Sequence, residues 1–461
     1  MCDNPTVPRD PLPLRARFGY GAADGAASLV WAIAGGYLVV FATDVARLPA
    51  AAVGTMLLVV RLVDAVADPA IGLLIDRTRT RWGRSRPYLL WASVPLGALA
   101  VLSFSSPDWP ESGRLAWAYG TYLLLSIAYS FASIPLVSIL AGLSGEAGER
   151  MRLSVWKMAG NALGSIAGGA AILPLVAWLG GGDDARGYRL AMILLGLLAA
   201  VLLLYGFATL RERVVPPRPR LHVPWWRALR GNAPLALALA FVVLLNVGTA
   251  PRVGATVYFF RDYLGRADLV PVANLAQAGL FGGLLASLWL TRRVGKRDTL
   301  FIAVVAQAAA IALPLPFGTE PWPAIVGTAL ASAASGAQIG TMYALLADII
   351  DFGDWRTGVR AEGLIGALAT LAGKAGVALG GALTGWLLAA GGYDPDATTP
   401  SEGAISAIRF CYYGLPIVLL AAAAVLLRFY RIDGELTRIA ADLERRAAGA
   451  DAPQPPSSPR S

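Results

Sequence analysis

Residues Ala50 to Ile75 read AAAVGTMLLVVRLVDAVADPAIGLLI, an apolar run of 26 residues with Arg61, Asp64 and Asp68 near its middle. The run stops at Asp76, and DRTRTRWGRSR follows through Arg86. An apolar stretch of that length predicts a membrane-spanning helix. A charge at the centre of a span costs about 2.5–3.5 kcal/mol on insertion scales, so three of them imply a task. The spacings i, i+3 and i+7 put all three on one helical face. That pattern predicts a polar pathway through a helix bundle.

The rest of the chain agrees. Its 461 residues are 56% hydrophobic and 15% charged, with a mean hydropathy of +0.58. A soluble domain is less apolar and carries more charge, so an all-α polytopic membrane protein is expected. The net charge of +9 would suggest nucleic acid in a soluble chain. Here the basic residues cluster in short loops, so membrane topology explains the charge and no nucleic-acid partner is expected. Cys2 and Cys411 fall in different environments and imply no disulfide framework. The N-terminus shows no short apolar region with a cleavage site, so no removable signal peptide is expected.

Twelve apolar segments can be drawn, at 18–41, 50–75, 87–104, 114–141, 154–180, 188–210, 233–260, 268–290, 299–317, 323–350, 362–390 and 403–427. One set of loops carries Arg77 to Arg86, Arg150, Arg152, a run of arginines from Arg211 to Arg230, Arg292 to Arg297, Arg356 and Arg360. The other carries only Arg47, Arg114, Arg186, Arg189, Arg261 and Arg266. The positive-inside rule therefore predicts cytoplasmic termini. The basic, proline-rich stretch 211–232 divides a six-helix bundle at 18–210 from another at 233–427, leaving 1–17 and 428–461 as cytoplasmic ends, the latter finishing in a disordered tail. TRRVGKR after the eighth segment echoes DRTRTRWGR after the second, as two related halves would.

Asp64 and Asp68 lie one turn apart and cannot both stay charged in low dielectric without a cation, so a proton or a hard ion such as Na⁺ is expected there. Arg61 neutralising Asp64 to fix helix packing leaves the second carboxylate unpaired. Lys374 sits too centrally in its segment to snorkel, and points to the same carboxylates as a competitor of the cation. The Gly373-Lys374 pair is no phosphate loop, because Gly366 is wrongly spaced and Ala375 replaces Ser or Thr. Asp24 and Lys157 are placed to hydrogen-bond substrate hydroxyls, although Lys157 could equally face headgroups. Tyr129, Ser130 and Ser133 interrupt the fourth segment. Gly376, Gly380, Gly381 and Gly385 predict close helix packing. The single histidine, His222, lies in the connecting loop, which excludes a histidine relay or a histidine-based hydrolase.

The string Arg61-x-x-Asp64-x-x-x-Asp68-Pro69-x-x-Gly72-x-x-x-Asp76-Arg77-Thr78-Arg79-x-Arg81-Trp82-Gly83-Arg84-x-Arg86-Pro87 resembles the glycoside–pentoside–hexuronide:cation symporters, the melibiose-permease branch of the major facilitator superfamily. Tyr37 with Thr43-Asp44-Val45, the passage Ala347 to Arg360 and Lys374-Ala375-Gly376 agree with it. The resemblance implies a twelve-helix alternating-access carrier, not an enzyme, coupling sugar uptake to H⁺, Na⁺ or Li⁺ in a bacterial inner membrane. It implies a cation site at Asp64, Asp68 and Ser130 with Lys374 and Arg61 beside it. It matches Asp24, Tyr129 and Lys157 to sugar-binding positions, and Ser133 to an aspartate of that site. Ala67 replaces an asparagine of the pattern, which removes a Na⁺ ligand and favours H⁺. Ser133 in place of the carboxylate makes melibiose a doubtful substrate and, beside Lys157, would suit an anionic sugar such as a uronide. Asp76, Arg77 and Arg84 after the second helix, with Asp351 and Arg356, are expected to gate the cytoplasmic side. The alternative is a lysophospholipid or other amphiphile carrier of the same fold. No cofactor is expected, and the chain is expected to be a monomer whose other partners are lipids.

Overall fold

The computed structural model describes residues 12–144, 146–213, 232–357, 362–397 and 399–430, and residues 438, 439, 442, 443 and 445 of the tail. Most of the connecting loop with His222, the segment holding Arg360 and most of the tail lie outside these. Hydrocarbon offers a backbone amide no water, so each apolar run closes its own hydrogen bonds as a helix.

In chain order these are α1 (Leu14–Val40), α2 (Ala50–Arg77), α3 (Arg86–Ser103), α4 (Glu111–Leu143), α5 (Ala147–Gly180), α6 (Asp184–Thr209) and α7 (Ala233–Tyr258). There follow α8 (Ala267–Val294), α9 (Lys296–Ala312), α10 (Pro321–Thr357), α11 (Glu362–Ala390) and α12 (Glu402–Leu427). Ten of them are long and apolar enough to cross a membrane by length and composition. The other two are α3, which begins on Arg86-Pro87, and α10, rich in glycine, alanine and serine.

Three expectations are corrected. α5 starts at Ala147 and α10 runs to Thr357, so Arg150, Arg152 and Arg356 ride on helices rather than in loops. A 37-residue helix is about 55 Å long against an apolar core of about 30 Å, so it projects well beyond the core. α8 is not continuous: it is built of a 3₁₀ turn at Ala267–Leu269, a helix at Val270–Ala276 and a second at Gly279–Val294. α1 and α7, each first in its half, both run on into a π-helical turn, Phe41–Val45 and Phe259–Tyr263.

α1 packs on α5 and α6, α3 on α4 and α6, and α2 on α4. In the second half α7 packs on α11 and α12, and α10 on α8 and α9. The halves meet where α2 lies along α11, α5 touches the first piece of α8, and α1 touches α7. At α2–α11 the backbones nearly touch, because a Cβ on Gly385 would lie 2.5 Å from the Ala50 carbonyl oxygen. Gly376 and Gly380 would likewise meet α7, and Gly381 would meet Leu57 of α2, as close packing requires.

One end of the bundle carries the start of α1, the α2–α3 and α8–α9 corners and the end of α6. At its α2–α3 corner the Glu212 carboxylate accepts from the backbone N–H groups of Arg84 (3.0 Å), Ser85 (2.7 Å) and Arg86 (3.0 Å), capping α3. Gly83 stands at φ 111°, and a Cβ there would fall 2.6 Å from that carboxylate, so only glycine fits.

Candidate functional site

α2 and α4 run parallel, so residues one turn apart on each meet as two rungs. Ser126 donates to Asp64 Oδ2 at 2.6 Å, and Ser130 donates to Asp68 Oδ1 at 2.6 Å. Arg61 Nη1 reaches Asp64 Oδ2 at 3.4 Å. From α11, Lys374 Nζ pairs with Asp68 Oδ2 and so ties the second half to the first. Asp64 is 1% exposed, and its Oδ1 is buried with no hydrogen-bond partner. The five residues expected at the cation site are therefore brought together, with one carboxylate oxygen left for a ligand. Two carboxylates against two cations leave the cluster neutral overall.

Arg61 lies 4.1 Å above the Trp31 ring, and Trp31 stacks on Tyr129 with ring centroids 4.2 Å apart. This sandwich joins α2, α1 and α4, and places Tyr129 next to the cluster. Ser133 is one turn further along α4, half-buried.

The substrate candidates of α1 and α5 meet along a seam of glycines. A Cβ on Gly21 would lie 2.6 Å from the Trp156 carbonyl oxygen and one on Gly25 2.8 Å from that of Gly160, so the helices touch through backbone. That approach sets Lys157 Nζ 3.0 Å from Asp24 Oδ1, and Asn161 2.5 Å from the Ser28 hydroxyl. Asp24 Oδ2 is buried with no partner. Lys157 thus faces Asp24 rather than headgroups. The pair carries no net charge, and the expectation of an anion site at Lys157 loses its basis.

Among the described contacts, those of Asp76, Arg84 and Arg356 stay within their own halves. Arg84 pairs with the exposed Asp76 at 3.3 Å, Arg77 is exposed, and Arg356 lies over Phe352 at 6.0 Å. Asp351 sits one turn before Trp355, whose Nε1 donates to Asp442 at 3.0 Å.

A different set of residues locks the opposite end. Arg261 pairs with Asp44 (2.6 Å) and Asp262 (2.7 Å), and donates to the Tyr393 hydroxyl at 2.7 Å. Tyr393 donates to Asp44 at 3.2 Å, and the Thr43 and Tyr258 hydroxyls share a bond of 2.8 Å. Asn274 donates to the Tyr37 hydroxyl at 2.7 Å, and Arg47, held at φ 55°, pairs with Asp396.

A cavity of about 680 Å³ lies toward the other end, lined from α7, α10 and α11 by residues such as Asn246, Gln338, Met342, Ile350 and Thr370, and by none of the first half. A second, about 210 Å³, lies between α1, α2, α7 and α11 and includes Arg61 and Tyr122. Among the described contacts, the ion pairs and hydrogen bonds that join the halves lie at the latched end, at Thr55–Trp386 and at Asp68–Lys374.

Sequence reasoning missed Ser126, Trp31 and Arg252. Ser126 sits one turn before Ser130, as Asp64 sits before Asp68, and that match was a usable signal. Arg252 is a charge inside the segment 233–260 and was detectable by the same rule as Asp64.

Residues 19–434 match the MFS/sugar transport protein family. The chain is 34% identical over 459 residues to the isoprimeverose transporter of Lactiplantibacillus pentosus, covering 97% of this chain and 94% of that protein. It is 29% identical over 426 residues to the inner membrane symporter YicJ of Escherichia coli strain K12, covering 91% and 92%. The crystal structure of the nucleoside transporter NupG superposes with a TM-score of 0.61 at 13% identity, over 90% of this chain and 99% of that one, a likeness of fold. The chain thus belongs to the MFS/sugar transport protein family of the major facilitator superfamily, and is an integral membrane transporter rather than an enzyme.

Proposed function

We propose that the protein is a cation-coupled symporter that takes up a sugar or glycoside by alternating access. The observation that carries this reading is the cluster at the middle of the interface between the halves. There Lys374 of the second half holds Asp68 of the first, while Asp64 Oδ1 stays buried and unsatisfied. Such an oxygen accepts a proton or ligates Na⁺. Its other neighbours are hydroxyls and Arg61, with Ala67 in place of an amide, so the donor set suits H⁺ better than Na⁺. A cation arriving at Asp64/Asp68 competes with Lys374. Release of that lysine loosens a tie between the halves and couples occupancy to their rocking. Arg61, Trp31 and Tyr129 link the cluster to Asp24, Lys157 and Ser133, where sugar hydroxyls have a carboxylate and an ammonium to bond.

The helix packing supports a division into bundles at 18–210 and 233–427, joined by 211–232. The charge bias of the loops supports cytoplasmic termini in a bacterial inner membrane, where a monomer surrounded by lipid would work. In that orientation the latched end faces outward and the 680 Å³ cavity lies toward the cytoplasm. Asp76, Arg77, Arg84, Asp351 and Arg356 then close that side in the opposite state. An amphiphile as cargo is the second reading, favoured by the apolar side chains lining the 680 Å³ cavity.

The deciding experiment is uptake of a labelled sugar panel into proteoliposomes under separately imposed pH and Na⁺ gradients, for the wild type and Asp68→Asn. Accumulation driven by one gradient and lost in the variant is expected. Failure of every sugar to accumulate, with lysophospholipid uptake instead, would overturn the sugar reading.

A further inference from the structure

Among the described residues, four cations lie well inside the spans. Arg61, Lys157 and Lys374 each face a carboxylate. Arg252, in the middle of α7, faces none among the described residues. Its Nη2 donates to the Thr328 hydroxyl at 2.9 Å and the Tyr412 hydroxyl at 3.3 Å, and its guanidinium lies 4.6 Å from the Tyr412 ring centre. Its Nε is buried with no acceptor. A guanidinium has five N–H donors in a fixed fork, and here most of them have no protein oxygen to reach. Leaving such a cation uncompensated in low dielectric is costly, so the site lacks a negative group.

The surroundings say where that group comes from. Arg252 borders a recess of about 140 Å³ whose other polar walls include Asn274, Gln277, Gln307, Ser332 and Tyr412, with no acidic side chain. Thr249 and Ser335 line both this recess and the 680 Å³ cavity, and Thr249 also lines the cavity that contains Arg61. The recess is thus a small polar pocket in which Arg252 is the one charged side chain, and it shares walls with both larger cavities. We propose that Arg252 and this recess form an anion subsite that receives the carboxylate of an acidic sugar, so that the cargo is a uronic acid or its glycoside. The cargo's hydroxyls lie toward the central cavities, and its carboxylate takes a forked pair of bonds from the guanidinium. The anion specificity expected beside Lys157 belongs instead to α7, in the other half. This inference rests on the sugar-symport reading and narrows it.

The test uses purified full-length protein and matched sugars differing only in carboxylate against hydroxymethyl: glucuronate with glucose, galacturonate with galactose, and their methyl glycosides. Affinities are read by calorimetry for the wild type, Arg252→Gln and Arg252→Lys. In the best-bound pair the wild type should prefer the acid by about tenfold or more, the value of a charge-assisted bidentate bond. Arg252→Gln should abolish that preference and leave the neutral sugar within about twofold, while Arg252→Lys keeps part of it. An arginine that only braces α7 against Thr328 and Tyr412 would weaken both members of the pair alike, and that result overturns the subsite. So does equal binding of acid and neutral sugar by the wild type, which leaves sugar symport intact. Binding of no sugar in any pair overturns the sugar reading, and the subsite with it.

Discussion

Asp64 keeps one buried oxygen that nothing in the protein satisfies, and its other oxygen is held mainly by a hydroxyl. Ser126→Ala removes that hydroxyl from a charged acceptor, a loss of about 1.5–3 kcal/mol, so the half-saturating cation concentration for uptake should shift by about tenfold or more. The shift should appear in whichever imposed gradient, H⁺ or Na⁺, drives uptake, and so identifies the coupling ion. Asp64, Asp68 and Lys374 were legible in the sequence because charge in an apolar run has few innocent explanations. Ser126 showed only through its one-turn spacing from Ser130, because a serine in a span mostly bonds its own helix, and Trp31 did not show at all, because a tryptophan mostly packs. Only the parallel course of α2 and α4 gives Ser126 its role.

The seam between α1 and α5 sets how far Asp24 lies from Lys157. A methyl group on Gly164 would collide with the Gly25 carbonyl oxygen, which is backbone and cannot rotate away. Gly164→Ala should therefore destabilise the protein by about 1–3 kcal/mol and lower sugar affinity together, measured by thermal unfolding in detergent and by equilibrium binding. At the α2–α3 corner, Glu212→Gln keeps the shape but weakens three bonds to backbone N–H groups, and Gly83→Ala adds strain and a clash. Both should increase hydrogen exchange at the start of α3, with Gly83→Ala the more severe. Helix number and order were legible because twelve apolar runs are separated by clear polar breaks. Helix ends were not, since α5 and α10 continue past the apolar region on residues that only neighbouring helices hold in place. The break in α8 has no proline or charge at residues 277–278 to announce it.

At the scale of the molecule, two sets of contacts between the halves oppose each other: the Asp44–Arg261–Tyr393 latch and its neighbours at one end, and the Asp68–Lys374 tie midway. Arg261→Ala removes the hub of the latch. It should move the population toward states parted at that end, seen as longer distances between spin labels placed on the α1 and α7 tips. No change in those distances would show that the other contacts suffice. The sequence marked Asp44 through the resemblance, but its partners Arg261 and Tyr393 lie far along the chain, and only the fold brings them together.

The balance of two carboxylates by Arg61 and Lys374 has an electrical consequence. Over a complete cycle the protein's own charges, this balanced cluster and Arg252 alike, return to where they began, so only the coupling ion and the cargo carry net charge across the membrane. A carrier loaded with one cation and a neutral sugar moves a single positive charge, worth about 2.3 kcal/mol per 100 mV. With an acidic sugar seated at Arg252, cargo and cation cancel, and transport should become electrically silent. Currents recorded on a supported membrane, compared for glucose and glucuronate, would read the charge of the cargo directly.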